Sequence, residues 1–248
     1  MKSPLVSVVI PAYNEEAQIR GTIASLLDQT LPRESYEIIV VDNNSTDNTW
    51  ELISQLPVRA IRQPIPGPGR ARQSGLEAAH GKYVLSADAD VFYPKNWIYE
   101  MSQPLMQDEK IACVYSSHRF LAEPGYPLFA LYCWARLRAV LVAMKSVNRP
   151  WLNCYGMSMG YRREQALEVG FDPRNFRGED GRLAYDLTRF GRIKRVNVKV
   201  YTHVRTLKQD GGLWRAMLKR IKAEAPHLLE NLRPLKDRTN RSNMEKDL

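Results

Sequence analysis

Along the first ninety positions, apolar residues fall in short runs separated by stretches with helical spacing. Residues 6–10 form an apolar run closed by Pro11, after which Ile19, Ile23, Leu26 and Leu27 recur on one helix face. Residues 36–41 make a second run, closed by Asp42. Ser45 or Thr46 is placed to cap a helix over residues 47–56, with Asp47 near its positive end. Residues 58–62 predict a third strand. The Pro/Gly loop 64–69 follows, then a helix with Ala71, Ser74, Gly75 and Ala78 on one side. Residues 83–87 predict a fourth strand, ending in Asp88-Ala89-Asp90.

The second half is less regular. Residues 111–116 and 195–201 read as strands, and 182–189 as a helix. The stretch 124–150 is expected to be helical in part. Leu213, Trp214, Met217, Leu218 and Ile221 form an apolar stripe, with Arg215, Lys219, Arg220 and Lys222 away from it. Residues 233–248 are polar, without periodicity, and read as a loose tail. Continuous apolar strands alternating with helices imply an α/β fold: a mostly parallel, Rossmann-like sheet with helices on both faces. Ligands of such sheets bind beyond the carboxyl ends of the strands, and Asp42, Asp88, Asp90 and residues 11–16 are all placed at such ends.

Composition refines this picture. The chain has 248 residues, 44% of them hydrophobic, enough for a buried core. The net charge of +9 is uneven: residues 118–163 carry seven Lys/Arg against one acid. Basic surface attracts phosphates, nucleic acids or anionic membranes. Cys113, Cys133 and Cys154 are odd in number and widely spaced, which argues against a zinc site or disulfide framework and fits a reducing compartment. Residues 1–4 lead straight into a strand, so no signal peptide is expected. The apolar stretch 128–144 has Arg136 and Arg138 at its centre, which makes a spanning helix costly.

Four groups carry candidate chemistry. Asp88 and Asp90, two apart where the chain leaves a pleat, can face one cation, and hard oxygen ligands suit Mn²⁺ or Mg²⁺. Glu179-Asp180 at a helix start is either a cap or a general base. His203, just past a strand, is a further candidate metal ligand. Gly67, Gly69, Arg70 and Arg72 combine close backbone approach with positive charge, which favours a phosphate.

Taken in order, these pieces resemble family 2 of the inverting glycosyltransferases, which have the GT-A fold. The matching segments are Val-Val-Ile-Pro-Ala-Tyr-Asn-Glu-Glu at 8–16, Val-Val-Asp-Asn-Asn-Ser-Thr-Asp at 40–47 and Gly-Arg-Ala-Arg-Gln-Ser-Gly at 69–75. Ala-Asp-Ala-Asp at 87–90, Gly-Met-Ser-Met-Gly-Tyr-Arg-Arg at 156–163 and Gly-Glu-Asp at 178–180 continue the set. The resemblance runs from about residue 5 to about residue 205. It implies a catalytic domain over 1–205, with 1–116 binding a nucleotide sugar and 117–205 an acceptor. An amphipathic helical segment over 206–232 and a tail over 233–248 would follow.

The resemblance also implies roles. Pro11, Ala12, Tyr13 and Glu15 would line the nucleoside pocket and Asp42 would contact the base. Asp88, with Ala89 beside it, would meet the ribose side, and Arg70 and Arg72 the diphosphate. Asp90 and His203 would hold Mn²⁺ or Mg²⁺. Asp180 would be the general base, with Glu179 next to it, and Trp151, Gly156, Met157, Ser158 and Tyr161 would form the acceptor site. The Gln-x-x-Arg-Trp motif of processive synthases is missing, so one transfer per encounter is expected.

The expected partners are a nucleotide-diphospho-sugar, with UDP as the carrier, and a hydroxyl acceptor that can be lipid-linked. Nucleic acid is not expected. The basic–apolar segments suit the cytoplasmic face of an anionic membrane. A sugar nucleotidyltransferase would put its glycine-rich loop directly after the first strand, where Pro11-Ala12-Tyr13-Asn14 stands. A basic nucleic-acid-binding protein would not gather carboxylates on its binding rim.

Overall fold

The computed structural model describes residues 3–121, 149–172 and 178–203, together with positions 127, 129–133, 136, 137, 140, 212, 215 and 218. Most of the expected stripe and tail beyond 203 lies outside the described residues.

Among the described residues, eight strands form one sheet: β1 (Val6–Ala12), β2 (Tyr36–Asp42), β3 (Arg59–Arg62), β4 (Tyr83–Ala87), β5 (Val91–Phe92), β6 (Ile111–Phe120), β7 (Ser158–Arg162) and β8 (Arg192–Thr202). Their order is β3-β2-β1-β4-β7-β6-β8-β5. The block β3-β2-β1-β4 is parallel, while β7 runs antiparallel to both β4 and β6. β1 continues through Pro11 to Ala12 instead of stopping at the proline. Pairing with β4 ends at Val9, and the Ala12 carbonyl accepts from Asn43 on the β2 side. Pro11 therefore faces the side where no ladder N–H is needed.

Helices cover both faces. Alternate residues Val6, Val8 and Ile10 of β1 join Ile19, Ile23 and Leu26 of α1 (Ile19–Leu27), Ile53 of α2 (Thr49–Ser54) and Trp97, Met101 and Leu105 of α4 (Trp97–Gln107) in one core. On the other face, α3 (Pro68–Ala78) lies against β1 and β2. A Cβ on Gly75 would stand 2.2 Å from Val9 Cγ1, so the helix sits this close only because residue 75 has no side chain. Two further helices follow β7: α5 (Arg163–Val169) and α6 (Glu179–Leu187).

Two expectations need correction. The second helix spans 49–54, and neither Ser45 nor Thr46 caps it. Both are tied to Asn14, while Asp47 Oδ1 accepts from the Thr49 N–H and hydroxyl at the helix start. The helix expected over 182–189 starts at Glu179, three residues earlier, because Gly178 in the left-handed region (φ 83°) turns the chain into it. Of residues 156–161, expected to shape an acceptor pocket, 158–161 lie on the central strand β7.

The chain forms two compact units, residues 1–118 with 154–201, and 119–153 with 202–248. It crosses between them three times, because β7 returns to pair with β4. In the second unit, residues 129–133, 136, 137 and 140 are helical, and Pro150–Asn153 forms a 3₁₀ turn.

Candidate active site

The carboxyl ends of β1, β2 and β4 bring the first candidates onto one rim. In the register of β1 and β2, Ala12 lies opposite Asp42. The loops that follow these two strands are tied to each other. The Asn14 N–H donates to Ser45 Oγ (3.0 Å), and Asn14 Oδ1 accepts from the Thr46 N–H (2.8 Å). The Glu15 N–H donates to Thr49 Oγ1 (2.8 Å), and Glu16 Oε2 accepts from Asn48 N–H and Nδ2. Asn14 and Asn44 both adopt positive φ, 54° and 64°, a region Asn enters more readily than most residues. Tyr13 emerges from this network 56% exposed, whereas Ala12, Glu15 and Asp42 are buried. Asp42 Oδ1 is a buried oxygen with no hydrogen-bond partner among the described residues. Such an atom carries a desolvation cost that a ligand donor can relieve.

Asn43 holds the third loop. Its Nδ2 donates to the Gln63 and Ile65 carbonyls (3.1 and 2.9 Å), and its Oδ1 accepts from the Gly67 N–H (2.8 Å). Gly67, with φ 138°, then delivers Pro68 to the first turn of α3. Arg70 is half-buried on that turn.

Arg72 departs from the expected placement. It is a buried cation one turn into α3, not an arginine at an open helix start. Its Nη2 donates to Asp88 Oδ1 at 2.8 Å, and its Nε lies 3.0 Å from Asp180 Oδ1 and 3.5 Å from Glu179 Oε1. The structure thus brings Arg72, Asp88, Glu179 and Asp180 together. Asp180 is further held by the Gly156 N–H, which donates to Oδ2 at 2.7 Å. Burial pushes the Asp180 carboxyl up to about 7. Arg72 opposes that shift, Glu179 and Asp88 add to it, and the Gly156 N–H pulls the other way.

Tyr93, which the sequence did not single out, ties the Asp88 turn to the segment before β7. Its hydroxyl accepts from the Asp88 N–H (2.8 Å) and donates to the Met157 carbonyl (2.9 Å). Its ring packs on Trp97 at 4.3 Å between centroids. Burial, reinforced by the Asp88 charge, raises its pKa well above the ordinary phenol value, so it remains a neutral donor. Ala89 is buried, and its carbonyl accepts from Thr22 Oγ1 (2.7 Å). Asp90 is partly exposed on the same turn.

Two expected acceptor residues face inward. Ser158 Oγ accepts from Trp97 Nε1 (2.8 Å) and shares a bond with Ser116 Oγ (2.6 Å). The fully buried Tyr161 has its hydroxyl on Ser86 Oγ (3.1 Å). Three residues apart, the two side chains leave opposite faces of β7, and both faces are covered, so both are buried. Trp151 and His203 belong to the second unit, each half-buried. Among the described residues, no three His, Cys, Asp or Glu side chains form a metal cluster. Mn²⁺ and Mg²⁺ held between carboxylate, water and phosphate oxygens need only one or two protein carboxylates. The Asp88-Ala89-Asp90 turn fits that donor set.

The family model described as Glycosyl transferase family 2 matches residues 7–170. Poly(ribitol-phosphate) beta-glucosyltransferase of Bacillus spizizenii is 39% identical over 92 residues, covering 34% of this chain and 14% of that protein. Chondroitin synthase of Pasteurella multocida is 26% identical over 206 residues, covering 81% of this chain and 20% of that protein. The chain thus spans a fifth or less of the length of these two relatives. Glucosyl-3-phosphoglycerate synthase of Mycobacterium tuberculosis has been solved in complex with Mn²⁺, UDP-glucose and phosphoglyceric acid. That structure superposes with a TM-score of 0.62 at 27% identity, over 92% of this chain and 79% of its own. The mixed, mostly parallel sheet is therefore the GT-A architecture that the motifs implied. The nucleotidyltransferase and nucleic-acid-binding readings give way to it.

Proposed function

The chain belongs to glycosyl transferase family 2, and from that premise we propose that it moves one sugar per encounter from a UDP-sugar to an acceptor hydroxyl, inverting the anomeric centre. The observation that carries this reading is the juxtaposition of Asp88, at the end of β4, with Asp180, at the start of α6, around one guanidinium. Donor-side and acceptor-side carboxylates are then within one side chain of each other.

On the donor side, Tyr13 offers an exposed ring to the base, with Pro11, Ala12 and Glu15 around it. The unpartnered Asp42 oxygen accepts a base N–H, and Asp88 a ribose hydroxyl. Arg70 stands where the diphosphate would meet positive charge. Asp90 would hold Mn²⁺ or Mg²⁺; His203, in the second unit, is the other candidate ligand that the sequence offers. When bound, the cation supplies charge that stabilises the leaving diphosphate.

Asp180 takes the acceptor hydroxyl proton as that oxygen bonds to the anomeric carbon. The bond from that carbon to the diphosphate oxygen breaks, and its electron pair leaves with the nucleotide. A carboxyl with its pKa near 7 is suited to this transfer, because a general base works best near the operating pH. The backbone at Gly156 and Met157 supports acceptor placement, and Trp151 is the further candidate.

The decisive experiment is a transfer and slow-hydrolysis screen over UDP-, GDP- and dTDP-sugars, with and without Mn²⁺ or Mg²⁺. UDP-sugars should be used and Asp90→Ala should abolish transfer. Undiminished activity in excess chelator, or in Asp90→Ala, would remove the metal from the scheme. Preference for another base would remove UDP.

Among the described residues, no helix is long and apolar enough to cross a membrane. Exposed apolar side chains recur on the helical positions of the second unit: Phe129 at 77%, Tyr132 at 59%, Val140 at 56% and Leu218 at 60%. Arg136 lies over the Tyr132 ring. Together with the local basic excess, this supports docking on the anionic cytoplasmic face of a membrane, where a lipid-linked acceptor would be reached. Sedimentation with anionic but not neutral vesicles, weakening with salt, is the expected result. No sedimentation at low salt would overturn it.

A further inference from the structure

The Arg72 side chain is only 5% exposed, yet it faces three carboxylates from two separate elements: Asp88 after β4, and Glu179 and Asp180 at the start of α6. A purely structural buried arginine usually spends all its donors and balances its charge. Here one cation serves up to three anions, and Nη1 has no hydrogen-bond partner among the described residues. The opposite wall is Gly156. A Cβ there would stand 2.1 Å from Arg72 Nη2, 2.3 Å from Cζ and 2.6 Å from Asp180 Oδ2. The Gly156 N–H reaches Asp180 only because residue 156 carries no side chain, and the same gap seats the guanidinium.

We propose that Arg72, seated by Gly156, is a positioning residue that couples the two ends of the reaction, holding the donor-side carboxylate Asp88 and the base Asp180 in register through one guanidinium. This rests on the reading of Asp180 as the base. When a donor hydroxyl engages Asp88, the guanidinium remains against Asp180, aims its carboxylate and favours its ionised form. Among the described residues, the groups that enter this balance are Arg72 from α3, Glu179 from its own helix, Asp88 from the β4 turn, the Gly156 N–H, and the buried Cys154 and Tyr161.

Arg72→Met, Arg72→Lys and Gly156→Ala test this in the full chain. The readouts are kcat, donor KM, UDP affinity by calorimetry and the pH profile of kcat. Misaiming the base should lower kcat by roughly a hundredfold, with a much smaller change in UDP affinity. In Arg72→Met the acidic limb of the profile should move to higher pH, because the cation that favours the carboxylate is gone. Gly156→Ala keeps every charge but displaces the guanidinium, and should shift the limb the same way. Arg72→Lys should recover part of the limb and less of kcat, since a point charge cannot span both carboxylates. If Arg72→Met does not fold, the other two variants carry the test. Folded variants with an unshifted limb, and a loss confined to donor KM, would overturn the proposal. Near-normal turnover in Asp180→Asn would instead overturn the base reading itself.

Discussion

The two halves of the candidate site are held by different physics. On the nucleoside side, the loops after β1, β2 and β3 are fixed mostly by neutral side chain–backbone bonds from Asn14, Asn43, Ser45 and Thr49, with the exposed Glu16 carboxylate accepting from Asn48. On the base side, Arg72, Asp88, Glu179 and Asp180 form a mostly buried charge cluster. Neutral hydrogen bonds are individually worth little and fix shape. Charges in a dry pocket are costly, and they set reactivity as well as shape. The first arrangement suits recognition of a rigid base, and the second suits proton transfer.

The largest effect is expected where charge is removed from the reactive side. Asp180→Asn should lower kcat by about 10²–10⁴-fold, the usual range for a lost general base, while UDP affinity by calorimetry stays near wild type. The wild-type rate should climb as pH rises through about 7, where Asp180 ionises. Stability should move the opposite way. The folded pKa lies above the ordinary carboxylate value, so the Asp180 contribution is present at low pH and is lost as pH rises through about 7. Thermal unfolding across that window should therefore show a decline that Asp180→Asn lacks. A flat comparison would mean that this side is not governed by its buried charge.

A smaller effect is expected on the neutral side. Asn43→Ala deletes three bonds to the loop at 63–67 and should cost about 1–3 kcal/mol by denaturant unfolding. Donor KM should rise and the pH profile should not move. A shifted profile would show that the two halves are not independent. The smallest effect separates two asparagines that share positive φ. Asn44 is exposed, and Asn44→Gly should change stability by less than about 1 kcal/mol. Asn14→Gly should cost more, since Asn14 Oδ1 holds the Thr46 N–H. Equal losses would mean that backbone conformation, not the bond between loops, matters at both.

The same contrast explains what could be read in the chain. β4 falls on the expected residues, and β2 extends the expected run by one, because buried parallel strands must be continuous apolar runs. The alternation of β7 was obscured by its glycine and its polar ends, and no element was assigned over 97–107, where Pro104 interrupts a helical pattern otherwise marked by Trp97, Ile98, Met101 and Leu105. The carboxylates of the site were visible as motifs. The burial of Arg72 was not, since an arginine in a Gly/Pro-rich stretch reads as surface until α3 is docked on the sheet. Tyr93 left no signal at all: its role depends on meeting the Met157 carbonyl, 64 residues away.

The stitched loops after β1 and β2 also limit how this protein can be re-engineered. Asn14 and Glu16 on one loop find their partners in Ser45, Thr46 and Asn48 on the other. A graft that imports either loop alone from a transferase with another nucleotide preference would leave unmatched donors and acceptors on both. The two segments behave as a single cassette, to be exchanged together or not at all.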